Sequence, residues 1–201
     1  MTTKSNTTAN TTVMLPPPET EGGRPLMTLL KERHSEREFS ERALPLQTLS
    51  NLLWAAIGIN RPDSGQLTVP NARSRHEVDV FVITSEGAFR YDAKKHALQT
   101  VFNGDRRALA GKQDFVATAP VNLIYVADYA KMPDLSAEQQ LVYGSTDVGF
   151  SVQNAYLFCA SVGLATVVRG SVDRDALGQA LGLTSQQRII LGQCVGFPAA
   201  S

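Results

Sequence analysis

The chain has 201 residues, with 19 Lys and Arg against 19 Asp and Glu and 43% hydrophobic residues. That length suits one domain with a core of its own, and a net charge of zero gives no global field to attract nucleic acid or an anionic membrane. Two cysteines, Cys159 and Cys194, are too few for a disulfide framework or a structural zinc site, and no apolar run approaches the length of a membrane span.

Residues 1–13 are rich in Thr and Asn and nearly free of large apolar side chains. They predict a disordered tail, because burial cannot offset the entropy of ordering them. No apolar stretch there resembles a signal peptide, so a cytoplasmic protein is expected unless a leader has been removed. Residues 14–25 predict an extended arm. Three successive prolines favour polyproline II, and Gly22-Gly23 then releases the chain. Such an arm is expected to lie across a neighbour or a partner subunit. The globular domain spans residues 26–201.

Leu26, Leu29 and Leu30 repeat at helical spacing and lead into Arg33-His34-Ser35. Leu46, Leu49, Leu52, Leu53, Ala56 and Ile57 make a second apolar stripe, with Pro45 placed to start the helix and Gly58 to end it. Residues 60–76 read as a polar loop. Strands are predicted at 78–84, near 89–91, at 98–101 and at 121–127. Asp147 is placed to cap the strongest helix, from 148 to about 162, with Gly163 at its end. A strand at 165–168, a short helix from Asp173 to Gly182 and a last strand at 189–197 complete the chain. Strand and helix alternate irregularly, which favours an α+β fold over a regular doubly wound sheet.

The motifs of dinucleotide, P-loop, zinc-protease and serine-hydrolase chemistry are absent. His34, His76 and His96 are far apart and lack metal-ligand spacing. The informative stretch is Glu32-Arg33-His34-Ser35-Glu36-Arg37-Glu38-Phe39. If the helix breaks near Ser35, then Arg33, Ser35 and Arg37 alternate onto one face of an extended segment. Two guanidinium forks and a hydroxyl then converge, which suits a phosphate or an electron-rich carbonyl edge. The blander reading is a solvated charge run in which Glu32, Glu36 and Glu38 pair the arginines. Both cysteines read as buried, inert thiols with nothing basic beside them, and His96 as solvent-facing. Trp54, Phe115 and Phe150 read as packing residues, and Gln153 and Asn154 as interfacial hydrogen-bonders.

Five segments in order resemble the nitroreductase-like flavoproteins. They are R-H-S-x-R-x-F at 33–39, the 69–76 loop, Asp147-x-Gly149-x-x-x-Gln153-Asn154-x-x-Leu157, Gly163-Leu164-Ala165-Thr166-x-x-x-Gly170, and Val195-Gly196-Phe197-Pro198. The Leu15-Pro16-x-Pro18 leader, the 49–56 helix and Ala119-Pro120 resemble the branch that includes the SagB-type dehydrogenases. The resemblance implies a central, mostly antiparallel sheet flanked by helices, in a homodimer whose FMN sites lie between subunits. It implies ping-pong hydride transfer from NADH or NADPH through flavin N5 to a small-molecule acceptor such as a nitroaromatic or quinone. The cofactor carries that chemistry, so no catalytic side chain is implied.

By the same resemblance, Arg33 and Ser35 hold the FMN phosphate, His34 adds backbone or ribityl contacts, and Arg37 faces the pyrimidine edge. Pro70, Asn71, Ala72 and Ser74 come from the other subunit to cover the ring. Gly170 and the backbone of Val168 and Arg169 lie along the N5 side, and Gln113 bonds the pyrimidine edge. The family's basic segment beyond the last strand has no counterpart before Ser201, so Arg73 or Arg75 is expected to assist Arg33 at the phosphate. Two other functions fit less of the chain: a SagB-like dehydrogenase of peptide heterocycles, and a flavin-binding protein without turnover.

Overall fold

A computed structural model describes residues 11–199. Thirteen helices and strands follow in chain order: β1 (Thr12–Met14), α1 (Leu26–Glu32), α2 (Leu46–Ile57), β2 (Ile59–Arg61), β3 (Gln66–Leu67), β4 (Val78–Ile83), β5 (Gly87–Asp92), β6 (Ala97–Asn103), β7 (Val121–Asp128), α3 (Ala137–Val162), β8 (Ala165–Arg169), α4 (Arg174–Leu181) and β9 (Gln187–Gly196). Seven strands form one sheet in the order β1-β6-β5-β4-β7-β9-β8, and every neighbouring pair is antiparallel. β2 and β3 make a small separate hairpin inside the stretch read as an irregular loop.

Both faces of the sheet are covered, which explains why β4 and β7 read as continuous apolar runs. Side chains alternate across a strand, so Val80, Val82, Leu123 and Tyr125 pack on one side with α2 and α3. Phe81, Ile83, Ile124 and Val126 pack on the other with Leu177 and Leu181 of α4. Leu52, Leu53 and Ala56 carry α2 onto that first layer with no exposure.

Three expectations are corrected. First, the long helix does not begin at Asp147. It starts eleven residues before the expected 148, at Ala137, from a capping box: Gln139 N–H donates to Ser136 Oγ at 3.3 Å, and Ser136 N–H donates to Gln139 Oε1 at 3.0 Å. Asp147 lies inside the helix and is buried. The αL conformation of Gly163 (φ 72°) ends α3 as expected.

Second, the arm lies on its own subunit. Ser50 Oγ donates to the Pro16 carbonyl at 2.6 Å, Gln47 Nε2 to the Pro17 carbonyl at 2.9 Å, and Glu19 N–H to Asn51 Oδ1 at 2.9 Å. These side chains all belong to α2, so the prolines satisfy a helix face. Residues 12 and 13 of the expected tail, with Met14 of the arm, pair with β6, while residues 1–10 lie outside the described residues. Third, His96 is half-buried, between Ser50 Oγ at 2.6 Å and Tyr91 Oη at 2.9 Å.

Apolar side chains stay exposed on α3 and α1. Val142 (57%) and Phe150 (40%) share a face of α3 with exposed Thr146, Gly149 and Gln153, and Met27 of α1 is 76% exposed. Phe150 is therefore no core residue, and Asn154 bonds within its own chain, to the carbonyls of Ala55 and Thr68. Among the described residues no helix is long and apolar enough to cross a membrane.

Candidate functional site

α1 closes on the Leu29 carbonyl through the Arg33 N–H at 2.8 Å, and the chain then leaves the helix extended (φ −54°, ψ 119°). It runs along the free edge of β8. Glu36 N–H donates to the Thr166 carbonyl at 2.9 Å, Phe39 bridges to Pro198, and Ser40 N–H donates to the Phe197 carbonyl at 2.9 Å. An edge strand leaves backbone groups to satisfy, and the 33–40 segment supplies partners for them.

Tyr156 of α3 ties helix, strand and segment together. Its hydroxyl accepts from the Val168 N–H at 2.8 Å and shares a second hydrogen bond of 2.8 Å with Ser35 Oγ. The Arg33 guanidinium lies over its ring, 5.2 Å from the centroid, in cation–π geometry. Beside this knot is a cavity of about 250 Å³ bordered by Arg24, Arg33, His34, Tyr156 and Thr166. The site residues singled out in the sequence did not include Tyr156. The signal available was a phenol on a buried face, where its O–H must find a partner.

The acids among the arginines are engaged elsewhere. Glu32 pairs Arg24 at 2.6 Å. Glu36 Oε1 accepts the backbone N–H groups of Arg37 (2.8 Å) and Glu38 (3.1 Å), and those bonds hold its carboxyl below the usual carboxylate range. Among the described residues neither Arg33 nor Arg37 forms an ion pair. His34 is exposed, with Nδ1 2.8 Å from the Glu32 carbonyl oxygen.

The 70–76 loop sits nine or more residues earlier along α3, against Asp147. On a helix rising 1.5 Å per residue, Asp147 and Tyr156 are about 13 Å apart along the axis. The structure therefore does not bring Pro70, Asn71, Ala72 and Ser74 to the Arg33 knot within one chain. The Asn71 amide is turned inward, donating to Glu77 Oε2 at 2.7 Å and Asp147 Oδ2 at 2.9 Å. Arg73 and Arg75 both clamp Asp134, at 3.0 and 2.7 Å, so the expectation that one of them reaches a phosphate is not met in this arrangement.

At the far end of β8, Gly170 is exposed and open: a Cβ built there meets nothing within 4 Å. The Arg169 side chain turns into the protein and is 5% exposed. Its guanidinium donates to Asn122 Oδ1 at 2.6 Å, to the Ala110 carbonyl, and through Nε to Cys194 Sγ at 3.3 Å. Cys194 thus does have a basic neighbour. Burial nevertheless pushes both thiols up, Cys159 to about 12, and neither is nucleophilic. Gly111 and Gly192 press against this guanidinium, and a Cβ on Gly192 would sit 2.7 Å from Nη1. Arg169 thereby joins β8 to the 110–113 segment, where Lys112 N–H donates to the Ser171 carbonyl at 3.1 Å. Gln113 Oε1 is buried there with no hydrogen-bond partner.

An antiparallel seven-stranded sheet, a 26-residue helix and a basic segment on the sheet edge define an α+β fold. The match to known proteins is specific. Residues 30–197 match the model of the nitroreductase family, and the chain belongs to that family. A protein of Methanocaldococcus jannaschii, provisionally named a nitroreductase, is 33% identical over 156 residues, covering 73% of this chain and 78% of its own. A crystal structure from Ralstonia eutropha JMP134, also provisionally named a nitroreductase, is 38% identical with a TM-score of 0.90, covering 94% and 90% of the two chains. An NADPH:FMN oxidoreductase from Vibrio harveyi, solved with NAD+, shares the fold at 20% identity and a TM-score of 0.66, covering 87% of this chain and 69% of that one.

Proposed function

We propose that the chain is an FMN-dependent NAD(P)H oxidoreductase, working as a homodimer on a small oxidised acceptor such as a nitroaromatic or a quinone. The observation that carries this reading is the pair Arg33 and Arg37, presented from an edge segment with no carboxylate neutralising either guanidinium. The residues present fit the cofactor on a second count. A buried acceptor without a partner costs free energy unless a ligand supplies the donor, and Gln113 Oε1 is such an acceptor.

When bound, FMN supplies the redox chemistry, taking hydride from a reduced nicotinamide and passing reducing equivalents to the acceptor. Arg33 and Ser35 hold the phosphate, Arg33 being braced by the Tyr156 ring. Arg37 faces the pyrimidine edge and favours negative charge there. Gln113 Oε1 accepts an N–H from that edge. Gly170 leaves the end of β8 uncovered, so a flat ring can approach the backbone. The exposed apolar face of α3 and the distance of the 70–76 loop from the Arg33 knot both support a dimer in which that loop serves the other subunit's site. The Val168 N–H is already taken by Tyr156, so the backbone contact to the ring falls to Arg169 and Gly170.

The test is an anaerobic titration of the purified, FMN-loaded protein with NADH and with NADPH. Bleaching of the yellow colour by either supports the reading. A colourless protein that ignores added FMN overturns it, and a yellow protein reduced by neither nucleotide points instead to a dehydrogenase of the SagB kind.

A further inference from the structure

Two buried carboxyl groups meet at the base of the 70–76 loop. Glu77 is 0% exposed and Asp147 is 4% exposed. One amide serves both: Asn71 Nδ2 donates to Glu77 Oε2 at 2.7 Å and to Asp147 Oδ2 at 2.9 Å. The same Asn71 accepts the His76 N–H on Oδ1 at 2.9 Å, so its side chain spans the loop from end to end. Glu77 Oε1 is buried with no partner. Among the described residues neither carboxyl forms an ion pair. Asp147 also accepts the Ala72 N–H, but two ionised carboxylates held only by neutral amides are not a stable buried arrangement, whereas one carboxylate and one carboxylic acid are.

The loop held by this knot is strained. Arg73 (φ 56°), Ser74 (φ 52°) and His76 (φ 52°) all occupy the left-handed region without being glycine. Such conformations persist only where their surroundings over-determine them. The outer restraint is Asp134, clamped by Arg73 and Arg75. The inner restraint is the Asn71 knot.

We infer that Glu77 and Asp147 are positioning residues for the 70–76 loop: by sharing one proton across Asn71 they hold the loop in the conformation that receives FMN. This rests on the proposed function, under which the loop covers the cofactor. Burial and the adjacent Glu77 carboxyl push Asp147 up to about 7, which puts loss of the shared proton near neutrality. The charged and titratable groups around the knot are otherwise committed. Lys131 donates to the His76 carbonyl and to Asp79, Arg90 pairs Asp79, and burial with Lys131 and Lys94 lowers the His76 pKa against the opposing pull of Glu77. None of them replaces the proton. Since the folded chain holds a proton that an unfolded carboxyl has released, the knot weakens as pH rises through about 7.

Amide hydrogen exchange on FMN-free protein tests the latch directly, with rates corrected for intrinsic chemistry at each pH. Protection at Ala72 and His76 should fall about tenfold between pH 6 and 8, the limit for losing one proton of pKa near 7. Asp147→Asn and Glu77→Gln each remove the titrating pair while keeping the shape, and either should make protection level across the range. If one variant does not fold, the other decides. FMN affinity should weaken by a similar factor over the same range in the wild type and stay level in the variants. Level protection in the wild type, or an equal fall in both variants, overturns the inference. Affinity that stays level while protection falls overturns the link to the cofactor. Failure to bind FMN at any pH overturns the functional reading instead, and the exchange data then judge the latch alone.

Discussion

Tyr156→Phe removes one oxygen atom and leaves the ring, so it isolates what the hydroxyl does. The ring keeps its packing on α3 and its contact with the Arg33 guanidinium. Two hydrogen bonds go, to the Val168 N–H and to Ser35 Oγ, each 2.8 Å. They differ in consequence. Ser35 is exposed and replaces its partner with water, at a cost near zero. Val168 N–H faces the buried ring edge and is left without an acceptor, which costs about 1–3 kcal/mol. The expected loss of stability is therefore about 1–3 kcal/mol, and at this chain length each kcal/mol lowers Tm by about 2–4 °C. Urea unfolding should show a lower midpoint at an unchanged slope, since no surface is newly exposed. Ser35→Ala alone should cost under about 0.5 kcal/mol, and the double variant should resemble Tyr156→Phe, because both substitutions break the same bond. FMN retention should fall no further than stability does, because the Ser35 bond contributes little. A Tyr156→Phe protein within about 0.5 kcal/mol of wild type would refute the claim that the Val168 N–H depends on this hydroxyl.

Arg33→Ala should weaken FMN binding by the worth of a charge-assisted contact, about 1.5–3 kcal/mol, while Arg37→Ala should chiefly alter flavin reduction, read as a shifted midpoint potential. Wild-type behaviour of both variants in equilibrium dialysis and redox titration would remove the site. Arg169→Met strands the Ala110 carbonyl and weakens the partnering of Asn122 Oδ1, while relieving the desolvation of a buried cation. The stranded acceptors outweigh that relief, and a net loss of about 2–4 kcal/mol in chemical denaturation is expected. Under the proposed homodimer, Phe150→Glu places charge on the exposed face of α3 and should shift dimer to monomer in sedimentation, with loss of bound FMN. Burial holds His96 and His76 below the ordinary histidine value, so their own contribution to unfolding free energy should fall as pH drops below about 6.5, opposing the contribution of Asp147. His96→Gln should flatten part of that slope in urea titrations at pH 5 and 7.

The fold was legible wherever burial and backbone chemistry agreed. Pro45 and Gly58 bound α2, Asp173 caps α4 by accepting the Ala176 N–H at 3.1 Å, and β4 and β7 show as apolar runs because helices cover both sheet faces. The start of α3 was missed for a physical reason. Its first turns, residues 137–146, present polar and small residues among a few apolar ones that stay exposed, so no stripe marks them. The capping box Ser136-x-x-Gln139 was the sign to follow. Asp147 then drew attention as a cap because an acid stood before an apolar stripe, yet local sequence cannot tell a carboxyl that caps its own helix from one that reaches across to Asn71 of another segment.

That same blindness divides the site. Spacing marked where α1 gives way to the extended segment that carries Arg33, Ser35 and Arg37, and the resemblance placed Gly170 just past the next strand. Side chains whose direction depends on a distant partner were not placed this way. Arg169 points inward because Gly111 and Gly192 leave it a channel and Asn122 awaits it, and those three lie 58, 23 and 47 positions away in sequence. Asn71 turns inward because two buried acids, 6 and 76 positions away, both take its amide. A buried polar side chain takes the orientation that satisfies the most desolvated neighbour, since an orphaned buried group costs more than a surface bond returns. Each inward turn leaves the nearby backbone as what a ligand can still touch.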